Sequence, residues 1–176
     1  HAIEYASFGF KESGYHIVNV LIHLANTLLV FYVIRKLSNH LWIGLITALI
    51  FGIHPLHVES VAWVSELKDL LYTLFFLLSL LAYLRFMDQQ KYKWYGMALA
   101  FFVLSALSTG MAVTLPVVLV LVAYFKGRPL NQKVWIEKIP FFIFAFVFGI
   151  VAIYAQQSEA ALHADSIPVM QRIIFA

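Results

Sequence analysis

The sequence contains no cysteine and few charged residues. Without cysteine, the chain can form no disulfide, no thiolate metal site and no cysteine nucleophile. Asp, Glu, Lys and Arg make up only 12% of the residues, whereas hydrophobic residues make up 62% and the mean hydropathy is +0.86. A soluble domain has about 25% charged and about 45–50% apolar residues, so this chain has too little polar surface for a water-soluble globule. The composition indicates an integral membrane protein.

Long apolar runs predict an all-α, polytopic membrane bundle of about six transmembrane helices. A helix needs about 20 residues to cross about 30 Å of hydrocarbon. The 176-residue chain therefore has room for six or seven crossings and little else. We expect residues 15–155 to form the transmembrane domain, between an external segment 1–14 and an external segment 156–176. The runs occupy residues 15–37, 41–54, 68–87, 94–108, 111–126 and 138–155.

The loops between these runs fall into two sets of opposite charge. Loops 35–40, 85–93 and 126–138 hold nine basic and two acidic residues, whereas the remaining segments hold three basic and seven acidic residues. The positive-inside rule places the basic set in the cytoplasm and both termini outside, or in the lumen of a eukaryotic organelle. We expect a bacterial cytoplasmic membrane, or the endoplasmic reticulum membrane in a eukaryote. An external N-terminus further suggests that another span precedes this sequence.

The basic residues predict contact with membrane lipids and no nucleic-acid partner. The pI of about 9.1 arises from lysines and arginines in short loops between apolar runs. In such loops, basic side chains orient the helices and contact anionic headgroups.

The external loop before the third span has the highest density of reactive side chains. Its candidate groups are His54, His57, Glu59, Glu66, Lys68 and Asp69. Protonated histidine and lysine could hold a phosphate, and a carboxylate could act as a general base. A divalent cation is also conceivable, but two histidines three residues apart beside one glutamate are common by chance. We therefore predict no metal site and no firmly implied cofactor.

The same loop also has a purely structural interpretation. Pro55 should end the second helix, and Trp63 could anchor a short interfacial helix at headgroup depth. Ser65 is then the expected N-cap of the third span, with Glu66 and Asp69 favoured near the positive end of its dipole. Both interpretations remain open at this point.

A polar stripe lies within the first span. His16, Asn19, His23 and Asn26 recur at spacings of three, four and three residues, so they share one helix face. Polar groups in hydrocarbon usually face protein or a water-filled cavity. We favour hydrogen bonding between helices, and His16, Asn19 and His23 remain candidates for binding a polar headgroup.

Three stretches resemble the membrane half of the transmembrane-and-tetratricopeptide-repeat O-mannosyltransferase family and its bacterial relatives. They are GYHIVNVLIHLANTLLVF, ALIFGIHPLHVESVAWVSELKDLLYTLFFLLSLLAYLRF and LSALSTGMAVTLPVVLVLVAYFKGRPL. These proteins are C-type glycosyltransferases. The resemblance implies a polytopic enzyme that transfers a sugar from a polyprenyl-phosphate donor to a protein hydroxyl on the external or lumenal side.

The resemblance also implies roles for the loop residues. Glu59, Glu66 and Asp69 become candidate catalytic groups, whereas His54, His57 and Lys68 become candidates for binding the donor phosphate. The sequence departs from the family pattern at Leu67, usually Arg, at Thr109-Gly110, usually Lys followed by Pro or Glu, and at Ala123, usually Asp. These departures favour an alternative: a catalytically degenerate relative that serves as an accessory subunit of a larger membrane complex.

Overall fold

The computed structural model describes residues 12–55, 66–129 and 131–166, and all regular structure within them is helical. The described α-helices number six, as the apolar runs predict. They are α1 (Glu12–Ser38), α2 (Leu41–Ile53), α3 (Leu67–Gln89), α4 (Tyr92–Ser108), α5 (Leu115–Phe125) and α6 (Gln132–Ser166), with a 3₁₀-helix at Gly110–Thr114 before α5.

The ends of the helices agree with the sequence analysis in one case and correct it in another. α2 ends at Ile53, two residues before the helix-breaking Pro55. The N-cap position of α3 is Glu66, whose side chain makes no capping hydrogen bond, and the predicted N-cap Ser65 lies outside the described residues. α6 begins at Gln132, so Lys138 lies inside a helix and not in the predicted basic loop.

Three helical stretches are long and apolar enough to cross a membrane, judged by length and composition. They are His16–Ser38, Leu67–Gln89 and Val134–Gln157. Leu41–Ile53 and Gly110–Phe125 are also apolar but shorter. The described part of the chain is thus an all-helical membrane fold, whereas the crossing of the membrane by all six helices stays a prediction.

α3 lies at the centre of the packing. It contacts α1, α4 and α5, while α6 packs on α4, on α5 and on the 3₁₀-helix. The core between these helices is built from large side chains without exposed surface, among them Tyr83, Phe102, Leu115 and Phe141. The Ser79 hydroxyl donates a hydrogen bond of 2.7 Å to the Ala98 carbonyl oxygen, which joins α3 to α4. This bond gives the hydroxyl a hydrogen-bond acceptor, which the hydrocarbon of a membrane cannot provide.

α2 packs closely on α1 through a ridge of small residues. Gly44, Ala48 and Gly52 recur every four residues and therefore share one face of α2. A Cβ atom at Gly44 would lie 3.2 Å from the Phe31 carbonyl oxygen and 3.3 Å from the Arg35 backbone nitrogen. Small residues at such positions let two helix backbones approach each other, as is common between membrane helices.

The two ends of the bundle differ in charge. We call the end formed by the C-termini of α1, α3 and α5 the basic end. There Lys36 pairs with Asp88 at 2.6 Å, and the Lys126 ammonium donates a hydrogen bond of 2.6 Å to the Lys36 carbonyl oxygen. These contacts bring together the loops that the sequence analysis grouped by charge. We call the opposite end, where α2 ends and α3 begins, the acidic end.

An ion pair with two hydrogen bonds holds the start of α6 to the preceding turn. The two terminal nitrogens of Arg128 lie 2.7 and 2.9 Å from the two carboxylate oxygens of Glu137. Burial alone would lower the pKa of Arg128, but the adjacent Glu137 carboxylate outweighs it and raises the pKa above its ordinary value. Paired, parallel hydrogen bonds of this kind fix geometry as well as charge.

Candidate functional site

The described candidate residues of the loop all lie at helix ends. His54 is the exposed C-cap of α2, and Glu66 is the half-buried N-cap of α3. Lys68 is exposed in the first turn of α3, and Asp69 is half-buried in the same turn. His57 and Glu59 lie outside the described residues, as does the predicted helix around Trp63.

The polar stripe of α1 holds the end of α2 and the beginning of α3 at this site. His23 Nε2 lies 3.0 Å from the Gly52 carbonyl oxygen, and Asn26 Nδ2 donates a hydrogen bond of 3.0 Å to the Leu70 carbonyl oxygen. His23 also stacks on Phe51, with 5.8 Å between the ring centroids. Because His23 and Asn26 are neighbours on one face of α1, the end of α2 and the first turn of α3 meet on adjacent turns of α1.

These contacts confirm the expected hydrogen bonding between helices at His23 and Asn26. Asn19 on the same face is also buried, with 1% of its surface exposed, whereas His16 is exposed. The carbonyl oxygen of the Asn26 side chain is buried and has no hydrogen-bond partner among the described residues. The predicted role of His16, Asn19 and His23 in binding a polar headgroup stays a prediction.

The 3₁₀-helix completes the acidic end. The Ser105 hydroxyl, near the end of α4, donates a hydrogen bond of 3.1 Å to the Tyr72 carbonyl oxygen. Tyr72 follows Asp69 by three residues, so the two share one face of α3. The hydrogen bond from Ser105 joins the end of α4 to α3, and the 3₁₀-helix packs on α4.

The sequence analysis did not identify Tyr72 as a site residue. Its position three residues after Asp69 provided a usable signal, because residues three apart lie side by side on a helix. A phenol beside a carboxylate at a helix end is a hydrogen-bond donor that can act on a substrate oxygen. We therefore include Tyr72 in the candidate site.

An apolar groove begins beside the 3₁₀-helix and follows α6. Its volume is about 780 Å³, and its lining includes Val113, Gly149, Phe146, Phe142 and Trp135. Gly149 faces Val113, where an added Cβ atom would lie 3.6 Å from a Val113 methyl group. The groove thus runs from the acidic end along the outer face of α6, towards the basic end.

The arrangement at the acidic end suits acid–base chemistry on a phosphorylated substrate. Asp69 and Glu66 supply carboxylates, and Lys68 supplies an exposed cation. The first turn of α3 adds the partial positive charge of a helix N-terminus, which favours anions. Among the residues that the structure describes, no group of three or more His, Asp or Glu side chains could hold a metal ion.

Comparison with known proteins gives one family match. The family described as dolichyl-phosphate-mannose-protein mannosyltransferase matches residues 2–155. The match therefore includes every helix from α1 to α5 and most of α6. No solved structure matches the chain significantly.

Curated relatives match shorter stretches of this chain. Protein O-mannosyl-transferase Tmtc2 of Drosophila melanogaster is 42% identical over 79 residues, which are 45% of this chain and 8% of the relative. Protein O-mannosyl-transferase TMTC4 of Homo sapiens is 41% identical over 92 residues, which are 45% of this chain and 12% of the relative. TMTC1 of Mus musculus, a protein of the same description, is 38% identical over 82 residues, 46% of this chain and 9% of its own length. The matched stretches thus span about a tenth of these relatives.

Proposed function

Because the chain belongs to the dolichyl-phosphate-mannose-protein mannosyltransferase family, we propose that it takes part in transferring mannose from a polyprenyl-phosphate donor to a protein hydroxyl. The resemblance stated from the sequence and the family match over residues 2–155 agree. The family name indicates dolichyl-phosphate-mannose as the donor, and a protein with a free hydroxyl as the acceptor.

The single observation that best supports a reaction site is that the end of α2 and the first turn of α3 are both bonded to α1 at the acidic end. This end combines carboxylates, a lysine and the positive end of a helix dipole. The bond between Asn26 and the Leu70 carbonyl oxygen holds the first turn of α3 in place. A site that stabilises charge needs groups that are fixed before the substrate arrives.

We assign the chemical roles as follows. A carboxylate, Asp69 or Glu66 among the described residues, takes the proton from the acceptor hydroxyl. The acceptor oxygen then forms a bond to the sugar carbon C1 as the bond from C1 to the phosphate oxygen breaks, and dolichyl phosphate leaves. Lys68 and His54 bind the phosphate, whose negative charge rises as it leaves. His57 and Glu59 remain candidates for the same two roles.

The groove beside α6 is our candidate surface for the prenyl chain of the donor. It is apolar, it faces outward, and its Val113 end lies in the 3₁₀-helix, which follows α4 at the acidic end. A chain in this groove would stay in contact with the bilayer while the phosphate reaches the acidic end. This placement makes the lipid-soluble donor accessible from within the membrane.

The proposal includes a location. The acidic end would face the outside of a bacterial cytoplasmic membrane or, in a eukaryote, the lumen of the endoplasmic reticulum. Acceptor proteins would approach from that side, and membrane lipids would surround the helices.

The first test is binding of the donor. A ligand that binds only the folded state raises the melting temperature. We expect dolichyl-phosphate-mannose to raise the melting temperature of the detergent-solubilised protein, and we expect unloaded dolichyl phosphate to compete. Lys68→Met should weaken this shift, because it removes a cation from the phosphate site.

The second test is transfer of labelled mannose to a serine- and threonine-containing protein. Asp69→Asn or Glu66→Gln should lower the rate about 10²–10⁴-fold, as expected when a general base is lost. The matched control is Asp88→Asn, which removes a carboxylate from the basic end. The proposal is wrong if the control slows transfer as much as the acidic-end variants do.

The degenerate-relative alternative gives a different pattern in these tests. Leu67 and Ala123, two of the departures from the family pattern, are buried, with 9% and 0% of their surface exposed. Apolar side chains at these positions fit the packed interior. Binding of the donor without transfer would favour the catalytically degenerate relative. If the protein neither binds the donor nor transfers mannose, the proposed donor is wrong.

A further inference from the structure

A basic pocket lies at the basic end, far from the candidate site. It opens between the C-terminal parts of α1 and α3 and has a volume of about 330 Å³. Its lining consists of Tyr32, Arg35, Lys36, Asn39, Leu81 and Arg85. Three of these six residues are cationic, and neither the candidate site nor the family match gives the pocket a role.

The positive charge of this pocket is only partly balanced. Lys36 pairs with Asp88. Neither Arg35 nor Arg85 has a carboxylate within 4.0 Å among the residues that the structure describes. The C-termini of α1 and α3 contribute partial negative charges of about one half each, and these fall off within the last turn. The pocket therefore keeps a positive potential.

Ring contacts hold both arginines beside the pocket. The Arg85 guanidinium carbon lies 4.8 Å from the centre of the Trp94 ring, and that of Arg35 lies 5.9 Å from the centre of the Phe31 ring. Stacking on a ring uses the face of the guanidinium and leaves the N–H groups at its edge available. Guanidinium edges match the geometry of phosphate oxygens.

An exposed apolar stripe on α1 leads directly to this pocket. Leu21, Leu24, Leu28 and Tyr32 recur at helical spacing, and between 52% and 60% of each side chain is exposed. Arg35 follows on the same face, one turn after Tyr32. A membrane lipid could thus place its acyl chains along the stripe and its headgroup in the pocket.

We propose that this pocket binds the phosphate of an anionic phospholipid, with Arg35, Lys36 and Arg85 as the cationic groups and the stripe of α1 as the surface for the acyl chains. Asn39, a residue with an amide donor in its side chain, also lines the pocket. The continuity of pocket and stripe favours a lipid over a free phosphate ion, because a free ion would make no use of the stripe. The proposal does not depend on the proposed transferase activity.

Orientation of the helices alone does not account for this arrangement. Positive charge in the loops suffices for orientation, and the exposed Lys91 and Lys93 supply it at the same end without lining the pocket. These two lysines therefore form a matched control for the two arginines: the same number of charges at the same end of the bundle.

The test is lipid titration of the purified protein followed by native mass spectrometry. Phosphatidylglycerol carries the anionic phosphate, and phosphatidylcholine with the same acyl chains is the neutral comparison. Each cation near an anionic lipid surface contributes roughly a fivefold gain in affinity. We expect Arg35→Gln/Arg85→Gln to weaken phosphatidylglycerol binding about 30-fold, and Lys91→Gln/Lys93→Gln to change it less than about twofold.

Two further variants serve as controls. One distinguishes the loss of charge from a loss of folding, and the other distinguishes the binding of a lipid from the binding of a free phosphate. Arg35→Lys/Arg85→Lys keeps the charge but loses the planar donor edges, so its affinity should lie between that of the native protein and that of the double glutamine variant, even if removal of both charges impairs folding. Leu28→Asn makes the stripe polar. It should weaken the binding of phosphatidylglycerol without weakening the binding of glycerol phosphate. Equal binding of the two lipids, equal losses in the arginine and lysine pairs, or full competition by inorganic phosphate at equal concentration would each overturn the proposal.

Discussion

The ammonium nitrogen of Lys138 lies 2.8 Å from the hydroxyl oxygen of Tyr83, and neither side chain has exposed surface. Nζ also lies 5.1 Å from the centre of the Tyr83 ring. The phenol of α3 thus receives a hydrogen bond from a cation carried by α6. A buried cation is costly unless its N–H groups are bonded, so this contact makes Lys138 tolerable in the core.

We predict that substitutions of Tyr83 and of Lys138 differ in their effect on stability. Tyr83→Phe removes the acceptor and leaves the ammonium buried, which should lower the free energy of unfolding by about 1.5–3 kcal/mol. Lys138→Met replaces the cation by an apolar chain of similar volume, so stability should stay within about 1 kcal/mol or increase. Thermal unfolding in detergent measures both.

The control for this prediction is Tyr124→Phe, which removes a phenol that is 70% exposed and should have little effect. The double variant Tyr83→Phe/Lys138→Met should be about as stable as Lys138→Met alone. A greater loss in Lys138→Met than in Tyr83→Phe would show that the cation itself stabilises the core.

The stability that the ion pair between Arg128 and Glu137 contributes should depend on the planar shape of the guanidinium as well as on its charge. Arg128→Lys keeps the positive charge but cannot form two parallel hydrogen bonds, so we expect a loss of about 1 kcal/mol. Both side chains are about one-fifth exposed, which keeps the loss small. Lys133→Arg, a change between the same two residue types near the start of α6, serves as the comparison in a urea titration.

The same pair gives a prediction for pH. The pKa of Arg128 is raised in the folded protein. A cation with a raised pKa stabilises the fold below its ordinary pKa and loses this contribution only when the pH rises through the raised value. The stability difference between the native protein and Arg128→Gln should therefore not shrink as the pH rises through the range in which lysines titrate. A difference that vanished there would contradict the assignment.

Gly44 and Gly96 should respond oppositely to the same substitution. Alanine stabilises an exposed helix by about 0.5–1 kcal/mol relative to glycine, and a Cβ atom at Gly96 would meet nothing within 4 Å. At Gly44 the new atom would press on backbone atoms of α1. We therefore expect Gly96→Ala to raise the melting temperature and Gly44→Ala to lower it, with a greater loss for Gly44→Leu. Equal shifts for the two alanine variants would disprove close packing of α1 on α2.

Substitution of Asn26 tests whether this residue serves the packing of helices or the binding of substrate. Asn26→Ala removes the hydrogen bond to Leu70 and should lower stability by about 0.6–2 kcal/mol. Donor affinity, measured well below the melting temperature, should change less than it does in Lys68→Met. A large loss of donor affinity with unchanged stability would instead place Asn26 in a substrate cavity.

The helices were predictable from the sequence because apolar runs and loop residues alternate clearly. The end of α2 followed from Pro55, and the contacts of His23 and Asn26 followed from their spacing on one face. The beginning of α6 was not predictable in this way. Residues 132–138 contain four polar residues that resemble a loop, but the structure places Glu137 and Lys138 within α6, where they contact Arg128 and Tyr83.

The pairing of charges across loops was equally hidden in the sequence. The sequence analysis assigned Lys36 and Asp88 to different loops, whereas they lie in the last turns of α1 and α3, and nothing in their spacing identifies them as partners. At the candidate site, composition identified the carboxylates and Lys68, but it could not show that the end of α4 is bonded to α3 at Tyr72. Such relationships depend on which helices pack together.

The shortness of α2 has a consequence for the lipid around it. Its 13 residues measure about 20 Å, whereas the hydrocarbon layer is about 30 Å thick. If α2 crosses this layer, as the sequence predicts, the bilayer can adapt to it by local thinning. With one end of α2 at the basic end, the thin region would lie below His54, where interfacial water could penetrate to a depth that is normally dry. The phosphate of the proposed donor would then reach the acidic end without first leaving a hydrated layer.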